Sequence, residues 1–358
     1  MKTKRLLPGM LLITMVLGMG GVSPAEEGEV LGHGAARYRL QPDWAKADPK
    51  IAPVINAHAM AEGRDGRIYL VTDHPQNDFL VFEKDGRYVR SISAGLGGGH
   101  GLEIFEADGK EYLVHIDCGW HFKAEGWQPS AGQGRVTLLT TDGEVVRKFP
   151  TPSELSGTVA KFMPCDVART PTGNLLIADG YASDRIYEFT LKGELVREWG
   201  GPGGEAGGLR NAHGISIDAD DPRGPLVWVP SRDENKVKAF TLEGKHVDTL
   251  ELPGAYAGQL VFRGDRIYTA VCWSRVKGTG ERLPFSGFVL VLDRATRRVI
   301  SAPGGSEPVY VDGKLQPMVQ AQPVFRHCHD LYVDADGDIY VGEWNAERRY
   351  PAKLRLVK

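Results

Sequence analysis

Between residues 79 and 247 the chain repeats one phrase four times: an aliphatic and aromatic run, a glycine turn, and an alternating run. The first members are Phe79-Leu80-Val81-Phe82, Val136-Thr137-Leu138-Leu139, Ile186-Tyr187-Glu188-Phe189 and Val237-Lys238-Ala239-Phe240. The turns are Asp85-Gly86, Asp142-Gly143, Lys192-Gly193 and Glu243-Gly244. Branched and aromatic residues joined at a glycine turn read as β-hairpins. A second pair of strands lies upstream, as in Gly66 to Val71, Gly173 to Asp179 and Gly337 to Gly342. Its opening strand begins with a polar residue: His58, His100, Cys165, His213 or His329, with a degenerate copy at Gly258-Gln259. Six units of four strands predict an all-β fold, a six-bladed β-propeller.

The ends fit a closed ring. The last unit stops one strand short after Lys353 to Val357, and Ala36 to Leu40 is expected to supply the missing strand from the N-terminal side. Such pairing removes an exposed sheet edge. Long insertions run from Cys118 to Gln133 and from Ser274 to Ser286, where ligand contacts are expected. No sustained helical period appears after the N-terminal segment. The 45 glycines and 22 prolines suit a turn-rich β protein. Thus 358 residues, long enough for two or three domains, are expected to form one ring over 26–358. A formal net charge of -3 excludes a basic nucleic-acid binder.

The N-terminus reads as a secretory signal: Lys2, Lys4 and Arg5, then an apolar run from Leu6 to Val22, then a cleavage site at Ser23-Pro24-Ala25. A retained anchor is the alternative, but Pro8 and the glycines within the run favour cleavage. Residues 1–25 are therefore expected to be removed, giving a secreted or periplasmic protein with no stable membrane insertion. Cys118, Cys165, Cys272 and Cys328 are too few for a disulfide scaffold.

Four of the six opening positions are histidine, although the whole chain has only ten. In a propeller these positions border the central channel. Imidazoles converging from separate strands form a typical zinc or other transition-metal site. The alternative is a wet channel lined by hydrogen-bonded histidines. Asp330, with carbonyls of neighbouring first strands, is a candidate for Ca²⁺.

The units resemble NHL repeats, and the arrangement resembles the lyase domain of peptidylglycine α-amidating enzymes, peptidyl-α-hydroxyglycine α-amidating lyase. The phrases that carry the likeness are Pro164-Cys165-Asp166-Val167-Ala168, Asp179-Gly180-Tyr181-Ala182-Ser183-Asp184-Arg185, Trp199-Gly200, Ala212-His213-Gly214-Ile215-Ser216 and Ser231-Arg232-Asp233-Glu234-Asn235. The resemblance implies zinc on His100, His213 and His329, with His58 beside them as a further candidate from the repeat. It implies calcium on Asp330 with the carbonyls of Leu102 and Met60. Tyr181 matches the catalytic tyrosine and Arg232 a catalytic arginine. The implied reaction cleaves an N-acyl α-hydroxyglycine, a small-molecule or peptide substrate, into an amide and glyoxylate.

The chain also departs from that family. Asp73 stands where the family has its first-blade arginine, and His327 where it has a methionine. The family's disulfide positions fall on Met163 with Ala182 and Trp228 with Ala239, and no part of these 358 residues is expected to form the monooxygenase domain. A metal-dependent hydrolase of lactonase or esterase type is the near alternative. A non-catalytic exported propeller binding protein or glycan is the alternative from another class. His115 and His121, flanking Cys118, form a weaker candidate for a second metal site.

Overall fold

The computed structural model describes residues 28–124, 129–156, 161–275 and 281–358; the expected signal segment, residues 1–25, lies outside them. Six β-sheets follow one another along the chain as the blades of a propeller. Blade one is Ala57–Glu62, Ile68–Thr72, Phe79–Phe82 and Tyr88–Ile92, each strand antiparallel to the next. Blades two to five repeat this order over 99–148, 166–200, 216–251 and 255–301. The outer-hairpin turns at Gly86, Gly143, Gly193 and Gly244 have φ of +86°, +90°, +84° and +85°. Glycine reaches that left-handed conformation without the steric cost other residues meet, so the repeated glycine follows from the turn.

Blade six draws on both ends of the chain. Cys328–Val333, Ile339–Glu343 and Ala352–Leu356 are joined by Ala36–Gln41, with Tyr38 opposite Leu356 and Leu40 opposite Leu354. Val30–His33 then adds a fifth strand outside Ala36–Gln41, one more than the repeat predicts.

The core consists of six apolar layers, one between each pair of neighbouring blades. Phe105, Val114 and Ile116 of blade two pack on Val167, Ile177, Tyr187 and Phe189 of blade three. Ala168, Leu176 and Trp199 of blade three meet Val227, Val229 and Phe240 of blade four. The ring closes where Tyr340 of blade six packs with Trp44, Leu70 and Phe82. Alternation drives this arrangement, because the two faces of each sheet serve two different neighbours. No helix among the described residues is long and apolar enough to cross a membrane.

Candidate metal centre and cavity

The innermost strands bring their opening residues to one end of the channel. His58, His100, His213 and His329, from blades one, two, four and six, are all buried. Ring centroids of His100 and His329 are 4.5 Å apart. His58 lies on one side of this pair, 4.9 Å from His100 and 4.4 Å from His329. His213 lies on the other side, 4.9 and 5.0 Å from the same two rings. Ligand nitrogens of His58, His100 and His329 all fall within 4.8 Å of one another, so these three can hold a metal ion.

Hydrogen bonds fix two tautomers. His100 Nδ1 donates to the Cys165 carbonyl at 2.6 Å, which leaves the lone pair of neutral His100 on Nε2. His58 Nε2 donates to Asp73 Oδ2 at 3.1 Å, which leaves its lone pair on Nδ1. Both lone pairs face His329: His100 Nε2 lies 3.1 Å from His329 Nε2, and His58 Nδ1 lies 3.4 Å from His329 Nδ1. Neutral His329 has one N–H and meets two acceptors. Protonation is an unfavourable remedy, since burial first, and then the neighbouring imidazoles and Arg232, hold His329 well below the usual histidine range. A metal cation satisfies these lone pairs, and neutral nitrogen donors suit zinc and related ions.

Tyr181 and Arg232 come to the same place. The Tyr181 hydroxyl is 2.7 Å from His213 Nε2 and 3.1 Å from His100 Nε2. Burial pushes this phenol well above its usual range, so it is protonated at neutral pH. Arg232 is 3% exposed, its Nε has no partner, and its guanidinium lies 4.7 Å from the Trp273 ring. Among the described residues no carboxylate is in ion-pair range of it. A cavity of about 290 Å³ opens onto His58, His100, His329, Tyr181 and Arg232. Its walls include Trp120, Phe122 and Pro129 from the first insertion, and Trp273 and Trp344.

Asp330 sits behind the imidazoles. It borders a narrow gap shared with Asp166, Gln259 and His213, whereas Met60 and Leu102 do not line that gap. Gln259 Nε2 donates to both Asp330 oxygens at 3.1 and 3.0 Å, and Asp166 Oδ1 is buried without a partner. Burial raises Asp330 to about 7 and lifts Asp166 well above the carboxylate range, Asp330 adding to the shift of Asp166. The oxygen donors there are of a kind suited to Ca²⁺.

His327 stands apart from the metal cluster. Its Nδ1 donates to the Trp344 carbonyl at 3.1 Å, and its Nε2 accepts from the Phe285 N–H at 3.2 Å. His121 bonds to Asp117, while both ring nitrogens of buried His115 lack partners. All four cysteines are buried and unpaired. Asp73, Asp166 and the tryptophans of the cavity are site residues that the repeat did not single out, whereas Gln259 stands at its degenerate fifth opening position. Asp73 was visible only as a departure from the family pattern.

No family model matches the chain. Peptidyl-glycine alpha-amidating monooxygenase A of Xenopus laevis is 27% identical over 256 residues, covering 69% of this chain and 23% of that protein. Peptidyl-alpha-hydroxyglycine alpha-amidating lyase 1 of Drosophila melanogaster is 25% identical over 273 residues, covering 70% and 43%. The chain thus spans less than half the length of these curated relatives. A gluconolactonase structure from Xanthomonas campestris superposes with a TM-score of 0.55 over 94% of this chain and 99% of that one. At 14% identity it shows the fold alone. Fold, site and relatives support a propeller enzyme. Its similarity in sequence is to the amidating lyases and monooxygenases.

Proposed function

We propose that the protein is a metal-dependent lyase that cleaves an N-acyl α-hydroxyglycine into the acyl amide and glyoxylate. The observation that carries this reading is the meeting of Tyr181, Arg232 and the imidazoles at one apolar cavity. The metal would be held by His100 and His329 with a flanking histidine; zinc there supplies a Lewis acid that lowers the pKa of a substrate hydroxyl.

The chain's own residues do the rest. Arg232 offers forked donors to the substrate carboxylate. Trp120, Phe122 and Trp273 receive the apolar acyl group and exclude water. Tyr181, protonated at rest, gives its proton to the departing amide nitrogen as the C–N bond breaks. The hydroxyl O–H bond breaks as the aldehyde C=O forms, and that proton returns to the phenol, with His213 Nε2 2.7 Å away to hold it in passing. One proton leaves the hydroxyl and one reaches the nitrogen, so the step balances. Calcium on the carboxylates of Asp330 and Asp166 would serve a structural role. We place the protein outside the cytoplasm, acting on a small molecule or peptide and not on nucleic acid.

The test is metal analysis of protein purified without chelator, followed by an assay for glyoxylate released from α-hydroxyhippurate. A stoichiometric transition metal and metal-dependent glyoxylate release are expected. Metal-free protein, or loaded protein that releases none, defeats the reading; lactone hydrolysis by the loaded protein would identify a hydrolase instead.

A further inference from the structure

Asp73 is buried and anchored before it ever meets a histidine. Its Oδ1 accepts the Asn56 N–H at 2.9 Å, and its Oδ2 accepts the Asn56 side-chain amide at 2.5 Å. The same Oδ2 faces His58 Nε2 at 3.1 Å. Asn56 is itself fixed: its Oδ1 accepts the Asn345 N–H at 2.7 Å from blade six, and its carbonyl accepts the Thr72 hydroxyl at 2.8 Å. The carboxylate is therefore held from both sides. It orients His58 so that the other nitrogen, Nδ1, points toward the His100–His329 pair.

This is the pattern of an outer carboxylate that sets the tautomer of a metal-bound imidazole. A histidine kept only for packing would not need its lone pair aimed at another imidazole. Here Nδ1 of His58 and Nε2 of His100 both face His329, which carries one hydrogen when neutral. One of those contacts lacks a hydrogen whichever tautomer His329 adopts. A cation shared by the three nitrogens resolves this, and their spacing permits it.

We propose that His58 is a metal ligand in this protein, joining His100 and His329, and that Asp73 is the positioning residue that makes it one. His213 stays outside this trio, its Nε2 2.7 Å from the Tyr181 hydroxyl. The three nitrogens leave the fourth position of a tetrahedral ion open to substrate. The inference rests on the metal centre of the preceding reading but not on the lyase reaction.

The experiment uses the full chain with Co²⁺ as a probe, measuring affinity by chelator competition and coordination by visible absorption. His58→Gln and Asp73→Asn are compared with the parent, each first checked for an unchanged far-ultraviolet spectrum and cooperative unfolding in chelator. Parent Co²⁺ protein is expected to show the intense visible bands of a four-coordinate ion. His58→Gln should shift them and weaken binding by at least ~10-fold; Asp73→Asn should weaken binding by roughly 10–100-fold, the cost of losing an outer partner. Loss of positioning by Asp73 alters the spectrum, which a purely structural role would leave unmoved. Parent-like affinity and bands in both variants would overturn the assignment while leaving the metal centre standing. A parent that binds no Co²⁺, Zn²⁺ or Fe²⁺ would overturn the metal centre itself, and the assignment with it.

Discussion

Arg232 is 3% exposed, and burying a guanidinium without a carboxylate beside it is costly. The cost is offset only in part by the face of Trp273 and contact with the Cys272 thiol. Replacing Arg232 by Met should therefore lower kcat/KM by ~10–100-fold, the loss of about 1.5–3 kcal/mol for a hydrogen bond to a charged group. The ligand-free protein should meanwhile unfold at a higher temperature than the parent. Steady-state glyoxylate release and calorimetry read the two effects, and a destabilised variant would show that Arg232 has a hidden protein partner. Tyr181→Phe removes only a hydroxyl, so kcat should fall by roughly 10²–10⁴, the usual worth of a positioned acid–base group, with KM little changed. The buried titratable groups give a pH signature in chelator. His100, His213 and His329 have folded pKa values well below 6.5, chiefly from burial, so their stability contribution is lost as pH falls below about 6.5. Asp330 is raised to about 7, so its contribution is lost as pH rises from the ordinary carboxylate range through 7. Three histidines outweigh the raised carboxylates at acid pH, so the melting temperature without metal should rise as pH climbs to about 6.5 and fall above it. Asp330→Asn should lessen that alkaline fall, with Asp166, also raised, keeping the rest.

Among the elements, the first insertion carries the most chemistry. Its short hairpin of Trp120–His121 with Ser130–Ala131 places Trp120, Phe122 and Pro129 on the cavity. Trp120→Ala should raise KM for substrates with a large apolar acyl group by ~10-fold, in line with ~1.5 kcal/mol of lost burial. A formyl-sized acyl group should be nearly indifferent, and equal losses for both would mean the loop does not touch this part of the substrate. The hairpins themselves were legible because their determinants are local: a two-residue period and a glycine held at positive φ. The histidine ring was legible for a related reason, since the repeat returns each inner strand to the same place. The link from His58 to Asp73 was not, because Asp73, just past the end of Ile68–Thr72, stands at no position that the repeat marks. The segment from 302 to 327, with its small hairpin of Tyr310–Val311 and Lys314–Leu315, was equally opaque. Its anchors are tertiary: Met318 N–H donates to the Pro253 carbonyl, and the Tyr310 hydroxyl accepts the Val299 N–H.

The molecule as a whole is a ring of six thin cores, each shared by two blades, so no blade can leave without stripping two layers. The weakest covalent point is where the ring begins and ends, and there the N-terminal strands pair with Ala352–Leu356. Tyr38 is fully buried in this sheet and packs in the layer formed by Leu331, Val333, Leu354, Tyr268 and Val291 of blades five and six. Its strand also covers a backbone edge that would otherwise be open to other chains. Tyr38→Ala should thus cost on the order of 3–5 kcal/mol, as truncation of a buried aromatic does. Val146→Ala, on the exposed outer strand of blade two, should stay within about 0.5 kcal/mol of the parent. Urea unfolding followed by tryptophan emission distinguishes two views of the ring. If the N-terminal strands are the clasp, Tyr38→Ala shifts one cooperative transition to lower urea with its slope preserved, since Trp199, Trp228 and Trp273 in blades three, four and five report the same event. If blade six stands without them, the shift is no larger than that of Val146→Ala, and the ring is held by its inter-blade layers alone.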